Sequence, residues 1–295
     1  MKVFTAYSMK GGVGKTTAAV NLAYCSSLEG RATLIWDLDP QGVASYYFRV
    51  KAKVRGGSQR LLEKKKAASQ SIKATDFGNL DLLPADFSNR NLDLLLARAG
   101  KPHRNLARVL RVLGREYDRI FLDCPPGLSL LSETVLGCTD VLLLPTIPTI
   151  LSMRTVFRLL EHVRSLDRKP GLVLPFFSMI DRRKALHRDI CDGASEQSPG
   201  FLQQGIPFAS QVEQMGIHRC PIGVFAPHEP ATEAFANLWQ EIRELTGVDT
   251  RSGLKRTIRS VRTLLRETRP TREQTGPEAE PDVSAAQDPI SSADS

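Results

Sequence analysis

Short apolar runs alternate with longer stretches of helical periodicity along the first 245 residues. Apolar runs of this length are typical of strands that are buried on both faces of a parallel sheet. The predicted strands are residues 3–7, 33–36, 80–83, 119–122, 141–146 and 172–177. The predicted helices include residues 16–28, 92–99, 105–115, 153–166 and 230–245. This alternation predicts an α/β fold with a doubly wound, mostly parallel sheet, helices on both of its faces and ligands at the carboxyl ends of the strands.

Charge and composition divide the 295-residue chain into three segments. The net charge of +8 is concentrated at residues 49–66 and 251–272, whereas residues 273–295 are acidic, rich in proline, serine and alanine, and without aromatic side chains. Such a tail cannot bury enough apolar surface to fold. We therefore predict a folded domain over residues 1–248, a basic amphipathic helix over 249–272 and an acidic disordered tail after it. The positive charge favours an anionic partner, either nucleic acid or an anionic membrane.

Several classes of protein are disfavoured by the composition. The five cysteines are scattered singly, without a C-x-x-C pair, so the sequence predicts neither a zinc site nor a disulfide framework. No apolar run reaches the length of a transmembrane helix, and the N-terminus leads into a strand and a loop without a secretory signal. We therefore expect a cytoplasmic protein.

A glycine-rich loop, residues 10–17, joins the first predicted strand to the first predicted helix. The predicted nucleotide-binding residues are Lys10, Gly11, Gly12, Val13, Gly14, Lys15, Thr16 and Thr17. The glycines allow backbone N–H groups to surround phosphate oxygens, and the N-terminus of the helix adds further donors and a positive dipole end. Lys15 is placed to neutralise the terminal phosphates, and the Thr16 hydroxyl to ligate Mg²⁺. The loop therefore predicts binding of a nucleoside triphosphate with Mg²⁺.

Lys10 stands where the standard phosphate-binding loop has its first glycine. The segment from Lys10 to Thr16 resembles the deviant Walker A motif of the ParA/MinD family of ATPases. This resemblance implies that Lys10 reaches across an ATP-dependent homodimer to the nucleotide of the partner subunit. Two triphosphates that are brought together need additional positive charge, which a lysine at this position supplies.

Two further segments place carboxylates after predicted strands. From the residues alone, Asp37 and Asp39 are compatible either with a site that orients water or Mg²⁺ or with a solvated polar turn. Residues 36–42 resemble switch I of ParA proteins, which implies that Asp39 is needed for hydrolysis and that Asp37 lies near the metal. Residues 119–127 form an apolar strand that ends at Asp123, which is the Walker B arrangement, and resemble the family's Walker B and switch II. The predicted catalytic residues are Lys10, Lys15 and Asp39, and the predicted metal ligands are Thr16, Asp39 and Asp123.

Downstream segments carry the expected base contacts and DNA contacts. Residues 178–183 resemble the family's segment at the adenine pocket and dimer surface. Residues 206–207 and 221–227 resemble the stretch that closes over the base. The resemblance implies adenine contacts by Met179 and Pro227. The residues expected to contact DNA are Arg182, Arg183 and Arg219, of which Arg183 matches a DNA-binding arginine of the family.

Two observations weaken the DNA prediction for this surface. Gln211 stands where the family has an arginine, and Arg182 and Arg183 are equally compatible with a solvated helix start. Arg219 or the C-terminal basic segment can compensate. In that segment, apolar residues recur at helical spacing among arginines and lysines from Leu254 to Leu265. Such a helix can pack on the domain, contact DNA phosphates or lie on an anionic membrane.

The resemblance implies a ParA-like ATPase that hydrolyses ATP to ADP and phosphate, with ATP and Mg²⁺ as cofactors. It implies an ATP-dependent homodimer, non-specific binding to nucleoid DNA and a cargo-adaptor protein that stimulates hydrolysis. The cargo stays open among a plasmid, a chromosome and a protein organelle such as a carboxysome. The alternative is a MinD-like ATPase that cycles on the membrane through residues 249–272. That alternative is disfavoured because the segment lacks tryptophan and phenylalanine and precedes an acidic tail.

Two other classes share this type of loop. A nitrogenase-reductase-like electron donor needs cysteines from each subunit to hold an iron–sulfur cluster, and only Cys138 is a candidate ligand in this sequence. An amide ligase of the cobyrinate type would need an additional catalytic domain, for which the sequence leaves no room.

Overall fold

The structure is a computed structural model that describes residues 1–64, 66–197 and 200–246, with the side chains of residues 195–197 left out. The predicted basic helix over residues 249–272 and the acidic tail over 273–295 lie outside the described residues. The predicted end of the folded domain at residue 248 also lies outside them.

The core of the fold is a seven-stranded sheet with the order β3-β4-β2-β5-β1-β6-β7. The strands are β1 (Lys2–Ala6), β2 (Thr33–Asp37), β3 (Lys73–Ala74), β4 (Leu80–Leu83), β5 (Arg119–Asp123), β6 (Val141–Thr146) and β7 (Leu172–Phe177). All neighbours are parallel except the edge strand β3, which pairs antiparallel with β4. The predicted α/β fold and its six parallel strands are confirmed. The two-residue strand β3 was not predicted, because it is too short to carry a pattern.

Helices cover both faces of this sheet. They are α1 (Lys15–Leu28), α2 (Val43–Tyr47), α3 (Gly57–Glu63), α4 (Ala67–Ser71), α5 (Leu92–Arg98), α6 (Pro102–Leu113), α7 (Leu130–Leu136), α8 (Ile150–Ser165), α9 (Ala185–Gln197), α10 (Ser210–His218), α11 (Ile222–Phe225) and α12 (Pro230–Leu245), with a 3₁₀ turn at Phe87–Asn91. The five predicted helices are confirmed. Helix α6 begins three residues earlier than expected, because Pro102 has its φ angle preset for the first turn.

Two separate apolar layers hold the helices to the sheet. On one face, α1 and α12 pack over Phe4 and Phe121, whose rings stack at 4.9 Å, and Trp239 of α12 meets Phe4 edge-on at 5.5 Å. The indole N–H of Trp239 donates to Glu29 at 2.8 Å, which fixes α12 to the end of α1. The opposite face buries the apolar sides of helices that include α6, α7 and α8.

The register of the central strands sets the position of the site. Ala6, Asp123 and Asp37 are paired across β1, β5 and β2, so the last residues of three neighbouring strands are level. The loop after β1 leaves the sheet between β5 and β6, at the carboxyl edge. This edge is where doubly wound sheets bind their ligands. Among the described residues, no helix combines the length and apolar character needed to cross a membrane.

Candidate nucleotide and metal site

The loop after β1 has the backbone shape of an anion cradle. Gly12 and Gly14 have φ angles of 70° and 89°, a left-handed conformation that favours glycine. A Cβ atom on Gly12 would meet no other atom within 4 Å, so the volume above the loop is open. Helix α1 begins at Lys15 without a side-chain cap, which leaves its first N–H groups available. These donors and the positive end of the helix dipole suit phosphate oxygens.

Lys15 is held inside this cradle. Its side chain is 7 % exposed, and its ammonium has one long hydrogen bond of 3.4 Å, to the carbonyl of Lys10. Burial lowers the pKa of Lys15, and the nearby carboxylates of Asp123 and Asp39 oppose that shift. The Lys10 side chain, by contrast, is exposed. Lys15 therefore faces the cradle, and Lys10 is available to solvent or to another molecule.

Two buried carboxylates lie level at the ends of β2 and β5. Asp37 and Asp123 are both fully buried, and burial raises the pKa of each. The negative charge of Asp37 raises the pKa of Asp123 further. One oxygen of Asp37 accepts hydrogen bonds from the amide and hydroxyl of Ser45, at 2.8 and 2.7 Å. The other oxygen of Asp37 and both oxygens of Asp123 have no hydrogen-bond partner among the described residues.

Buried carboxylate oxygens without a hydrogen-bond partner are stabilised when a cation binds them. The Thr16 hydroxyl and the Lys15 ammonium are close enough to Asp123 to oppose the rise in its pKa. A carboxylate and a hydroxyl beside a phosphate cradle are the oxygen ligands that Mg²⁺ takes when it is also bound to phosphates. The predicted ligands Thr16 and Asp123 are thus brought together, and they fit Mg²⁺.

Asp39 lies at the rim of the same edge. It is half-buried, its Oδ1 accepts a hydrogen bond from the Gln41 amide at 2.9 Å, and its charge contributes to the raised pKa values of Asp37 and Asp123. The third predicted metal ligand, Asp39, is therefore near Asp37 and Asp123, with a carboxylate whose orientation is fixed by its own turn. This position suits a residue that orients a water molecule.

Three polar residues that the sequence did not single out hold this arrangement. Ser45 binds Asp37, Asn89 donates to the carbonyls of Asp37 and Leu38 at 3.3 and 3.2 Å, and Ser178 donates to the carbonyl of Val13 at 2.7 Å. Asn89 and Ser178 lie far along the chain from the groups that they bind. Ser178 lies in the segment 178–183 that the sequence associates with the base, but no local pattern predicts either contact, because both depend on strands that meet only in the folded sheet.

A mostly apolar cavity adjoins the loop on the side of β7. It is lined by Gly14, Thr17 and Ala18 from the loop and α1, and by residues that include Met179, Pro207 and Phe208. Met179 has a φ angle of 55°, so the chain turns sharply there. The predicted base contact Met179 is therefore beside the loop. The other predicted base contact, Pro227, is exposed and is not among the described residues that line this cavity.

The three predicted DNA contacts are outside this cluster. Arg183 is exposed but forms a two-pronged ion pair with Asp181, at 2.8 and 3.0 Å. The Arg219 guanidinium lies over the Tyr46 ring at 4.5 Å and donates to the Tyr46 carbonyl. Arg182 is exposed, and its side chain forms no ion pair with a described residue. Two of the three cations therefore already have intramolecular partners.

Comparison with known proteins identifies the family of this chain. A family model described as an AAA domain matches residues 1–173, which is more than half of the chain. Soj, the sporulation initiation inhibitor protein of Bacillus subtilis, is 28% identical over 247 residues, which cover 82% of this chain and 98% of Soj. The chain belongs to this family, in its ParA/MinD branch.

Other ParA/MinD-family proteins show the same relationship. The chromosome partitioning protein ParA of Myxococcus xanthus is 34% identical over 139 residues, which cover 47% of this chain and 49% of that protein. The solved structure of apo McdA from Cyanothece superposes with a TM-score of 0.69 and 22% identity, covering 82% of this chain and 98% of that one. The solved structure of the cell division ATPase MinD from Pyrococcus furiosus superposes with a TM-score of 0.65 and 23% identity. The match covers 83% of this chain and 99% of that one. These structures share the fold of the present chain.

Proposed function

We propose that this protein is a ParA-like ATPase whose ATP-bound homodimer binds DNA without sequence preference and positions a cargo. The observation that best supports it is the pair of buried carboxylates, Asp37 and Asp123, below a phosphate cradle that leaves Lys10 exposed. The cradle and Lys15 bind the triphosphate of ATP, and Thr16 and Asp123 hold Mg²⁺. Similarity to Soj and ParA supports the assignment to partition or positioning.

Each residue of the site has a separate role in ATP hydrolysis. Lys15 neutralises the terminal phosphates, and Mg²⁺ when bound shields the charge that develops on them. Asp39 orients the attacking water, while Ser45 keeps Asp37 directed at the metal shell. Lys10 reaches the nucleotide of a second subunit, so hydrolysis follows dimerisation. An adaptor protein on the cargo stimulates this step, and loss of the triphosphate releases the dimer from DNA.

An Asp39→Ala variant tests this proposal. It should bind ATP with nearly unchanged affinity, lose ATP turnover by about 100-fold or more, and accumulate as an ATP-bound dimer. Among the structures of the same fold is an aspartate-to-alanine variant of McdA in complex with ATP. Turnover is measured as phosphate release and the dimer by light scattering.

Asp118→Ala is the matched control, because Asp118 is an exposed carboxylate before the first residue of β5, at the opposite edge of the sheet. The control should keep normal turnover. Normal turnover by the Asp39→Ala variant would overturn the role of Asp39 and the hydrolytic part of the proposal.

The MinD-like alternative makes a different prediction. It rests on residues 249–272, which lie outside the described residues, and it requires ATP-dependent flotation with anionic liposomes. Flotation that disappears when residues 251–295 are deleted would replace DNA by a membrane as the surface on which the dimer acts. In our proposal the full-length protein is instead nucleoid-associated in the cytoplasm and does not float.

A further inference from the structure

The exposed face of α6 carries a row of cations that the nucleotide site does not use. We define the basic ridge as Arg104, Arg108 and Arg111, which are spaced by four and three residues and so share one side of the helix. The buried residues of α6 are Leu106, Val109, Leu110 and Leu113, on the opposite side. The ridge therefore points away from the sheet.

A second basic segment lies against the ridge. Helix α3 packs on α6, and the Arg108 guanidinium donates a hydrogen bond to the Leu62 carbonyl at the end of α3. The chain around α3 contributes the cations Lys51, Lys53, Arg55, Arg60, Lys64 and Lys66, and helix α5 adds Arg98. Arg98 and Arg108 also line a cleft between α3, α5 and α6. Two segments that are separate in the sequence thus form one positive surface.

Acidic residues do not neutralise this surface. The carboxylates near these cations are Glu63 at the end of α3, Asp93 on α5 and Asp86, whose charge interacts with Lys53. The cations named above outnumber these three carboxylates, so the surface keeps a positive net charge. Across residues 1–64, 66–197 and 200–246, no ion pair includes a residue of the basic ridge. Like charges three and four residues apart on a helix repel one another. Such a row is stabilised when an extended anion binds it.

We propose that the basic ridge and the cations around α3 bind the sugar–phosphate backbone of double-stranded DNA. Neighbouring arginines on one helix face are about 5–6 Å apart, and the duplex presents closely spaced phosphates along each strand. The arginine fork matches phosphate geometry, so exposed arginines suit this contact. A membrane would instead favour a row of large apolar side chains beside the cations. The exposed side of α6 presents arginines, and the exposed Leu94 lies one turn before Arg98 on α5.

This inference rests on the proposed function, because that function includes non-specific DNA binding, and it moves the DNA contact to another surface. The core residues of α6 pack on one face of the sheet, whereas Met215 of α10 packs on the other. Arg219 follows α10 and is engaged with Tyr46. Arg104 and Arg111 are exposed and have no ion-pair partner among the described residues.

The test compares two double variants of the full-length protein. The ridge variant is Arg104→Gln with Arg111→Gln, and the control is Arg154→Gln with Arg158→Gln, which removes two exposed arginines from α8 on the same side of the sheet. Binding to a labelled duplex of arbitrary sequence is measured with ATP and Mg²⁺ at several salt concentrations. ATP affinity, dimerisation and thermal unfolding are measured in parallel.

We expect the ridge variant to bind DNA about 10-fold more weakly at low salt and to reduce the slope of log affinity against log salt by roughly two. ATP affinity and dimerisation should stay unchanged, and Arg104→Lys with Arg111→Lys should restore most of the slope, because the charge is kept. The control variant should keep the affinity and slope of the unmodified protein.

Three outcomes would overturn the inference. If the ridge and control variants bind DNA equally, the contact lies elsewhere and the proposed function stands. If the ridge variant loses binding to vesicles of anionic lipid while DNA binding is unchanged, the surface is a membrane contact. If the unmodified protein shows no ATP-dependent DNA binding, the DNA part of the proposed function fails together with this inference, whereas ATP turnover still tests the rest.

Discussion

The proposed phosphate contacts at helices α1 and α6 use two different kinds of surface. At α1 the donors belong to the backbone of a loop, the lysine is buried, and two carboxylates lie at the ends of the neighbouring strands. At α6 the cations are arginine side chains on a solvent-facing side of the helix. Fixed donors with a metal site select one compact ligand, whereas an exposed row of charges suits a long polyanion at many equivalent positions.

The two helices differ because their sequences bury different proportions of their surface. Helix α1 has a continuous buried stretch, Ala18 to Ala23, and packs between the sheet and α12. Its small residues permit this close approach, and its N-terminus is consequently fixed relative to β1. Helix α6 buries one stripe and leaves the other to arginines. The comparison predicts that changes at α1 act on ATP and that changes at α6 act on DNA.

The largest effect is expected for Lys15→Ala. This substitution removes a buried ammonium from the phosphate cradle and should weaken ATP binding by about 100-fold or more, since a charge-assisted contact contributes up to about 3 kcal/mol. Isothermal titration with a slowly hydrolysed ATP analogue measures the effect.

Lys10→Ala is its matched control. Lys10 is exposed in the same loop, so the variant should keep the affinity of one subunit for ATP within a few-fold while it loses dimer-dependent turnover. Equal affinities for the Lys15→Ala variant and the unmodified protein would remove the basis of the nucleotide assignment.

The parts of the site that could be predicted are those encoded locally. The loop and Asp39 come shortly after β1 and β2, and Asp123 is the last residue of β5, so the apolar pattern and the motif place them at one edge. Asn89 lies 52 residues from the carbonyl of Asp37 to which it donates, and Ser178 lies 165 residues from that of Val13. Contacts of that kind depend on the order of strands in the sheet, which periodicity does not specify.

The surface charges show the same limit. The sequence identifies the cluster at residues 49–66 as basic, but its packing against α6 becomes visible only through the contact of Arg108 with Leu62. The pairing of Arg183 with Asp181 was likewise not anticipated, although the two residues are close in the chain. A count of charges gives the sign of the partner, and the fold decides which cations are available to it.

An intermediate effect is expected for Asp123→Asn. This substitution changes the proposed Mg²⁺ ligand and leaves the phosphate-binding loop before α1 intact. Burial raises the pKa of Asp123, so its ionised form destabilises the folded protein without metal at neutral pH. The variant should unfold at a temperature a few degrees higher when no ligand is present, because about 1–2 kcal/mol of desolvation is relieved.

The same variant should lose about 20-fold in the Mg²⁺-dependent part of its ATP affinity. Thermal shift assays with EDTA, with Mg²⁺ and with Mg²⁺ and ATP separate the two effects. A lower unfolding temperature without ligand would show that Asp123 has a stabilising partner in the protein and is not reserved for a metal.

The smallest effect is expected for Gly14→Ala, and it separates backbone shape from side-chain charge. Gly14 has a φ angle of 89°, and a Cβ atom there would lie 4.0 Å from Ser178, so space is sufficient but the backbone conformation is not. The strain of about 1 kcal/mol should lower stability and, by shifting the N-terminus of α1, weaken ATP binding about 10-fold.

Gly30→Ala is the matched control for this substitution. Gly30 follows the other end of α1, with a φ angle of 73° and no atom within 4 Å of an added Cβ. It should lose the same stability of about 1 kcal/mol and keep its ATP affinity. If both variants lost ATP affinity equally, the effect of Gly14 would be one of general stability. A different result is that only the Gly14→Ala variant loses ATP affinity while its DNA affinity keeps the salt dependence of the unmodified protein. In that case ATP binding depends on the backbone shape of the loop, and DNA binding depends on the charge of the basic ridge.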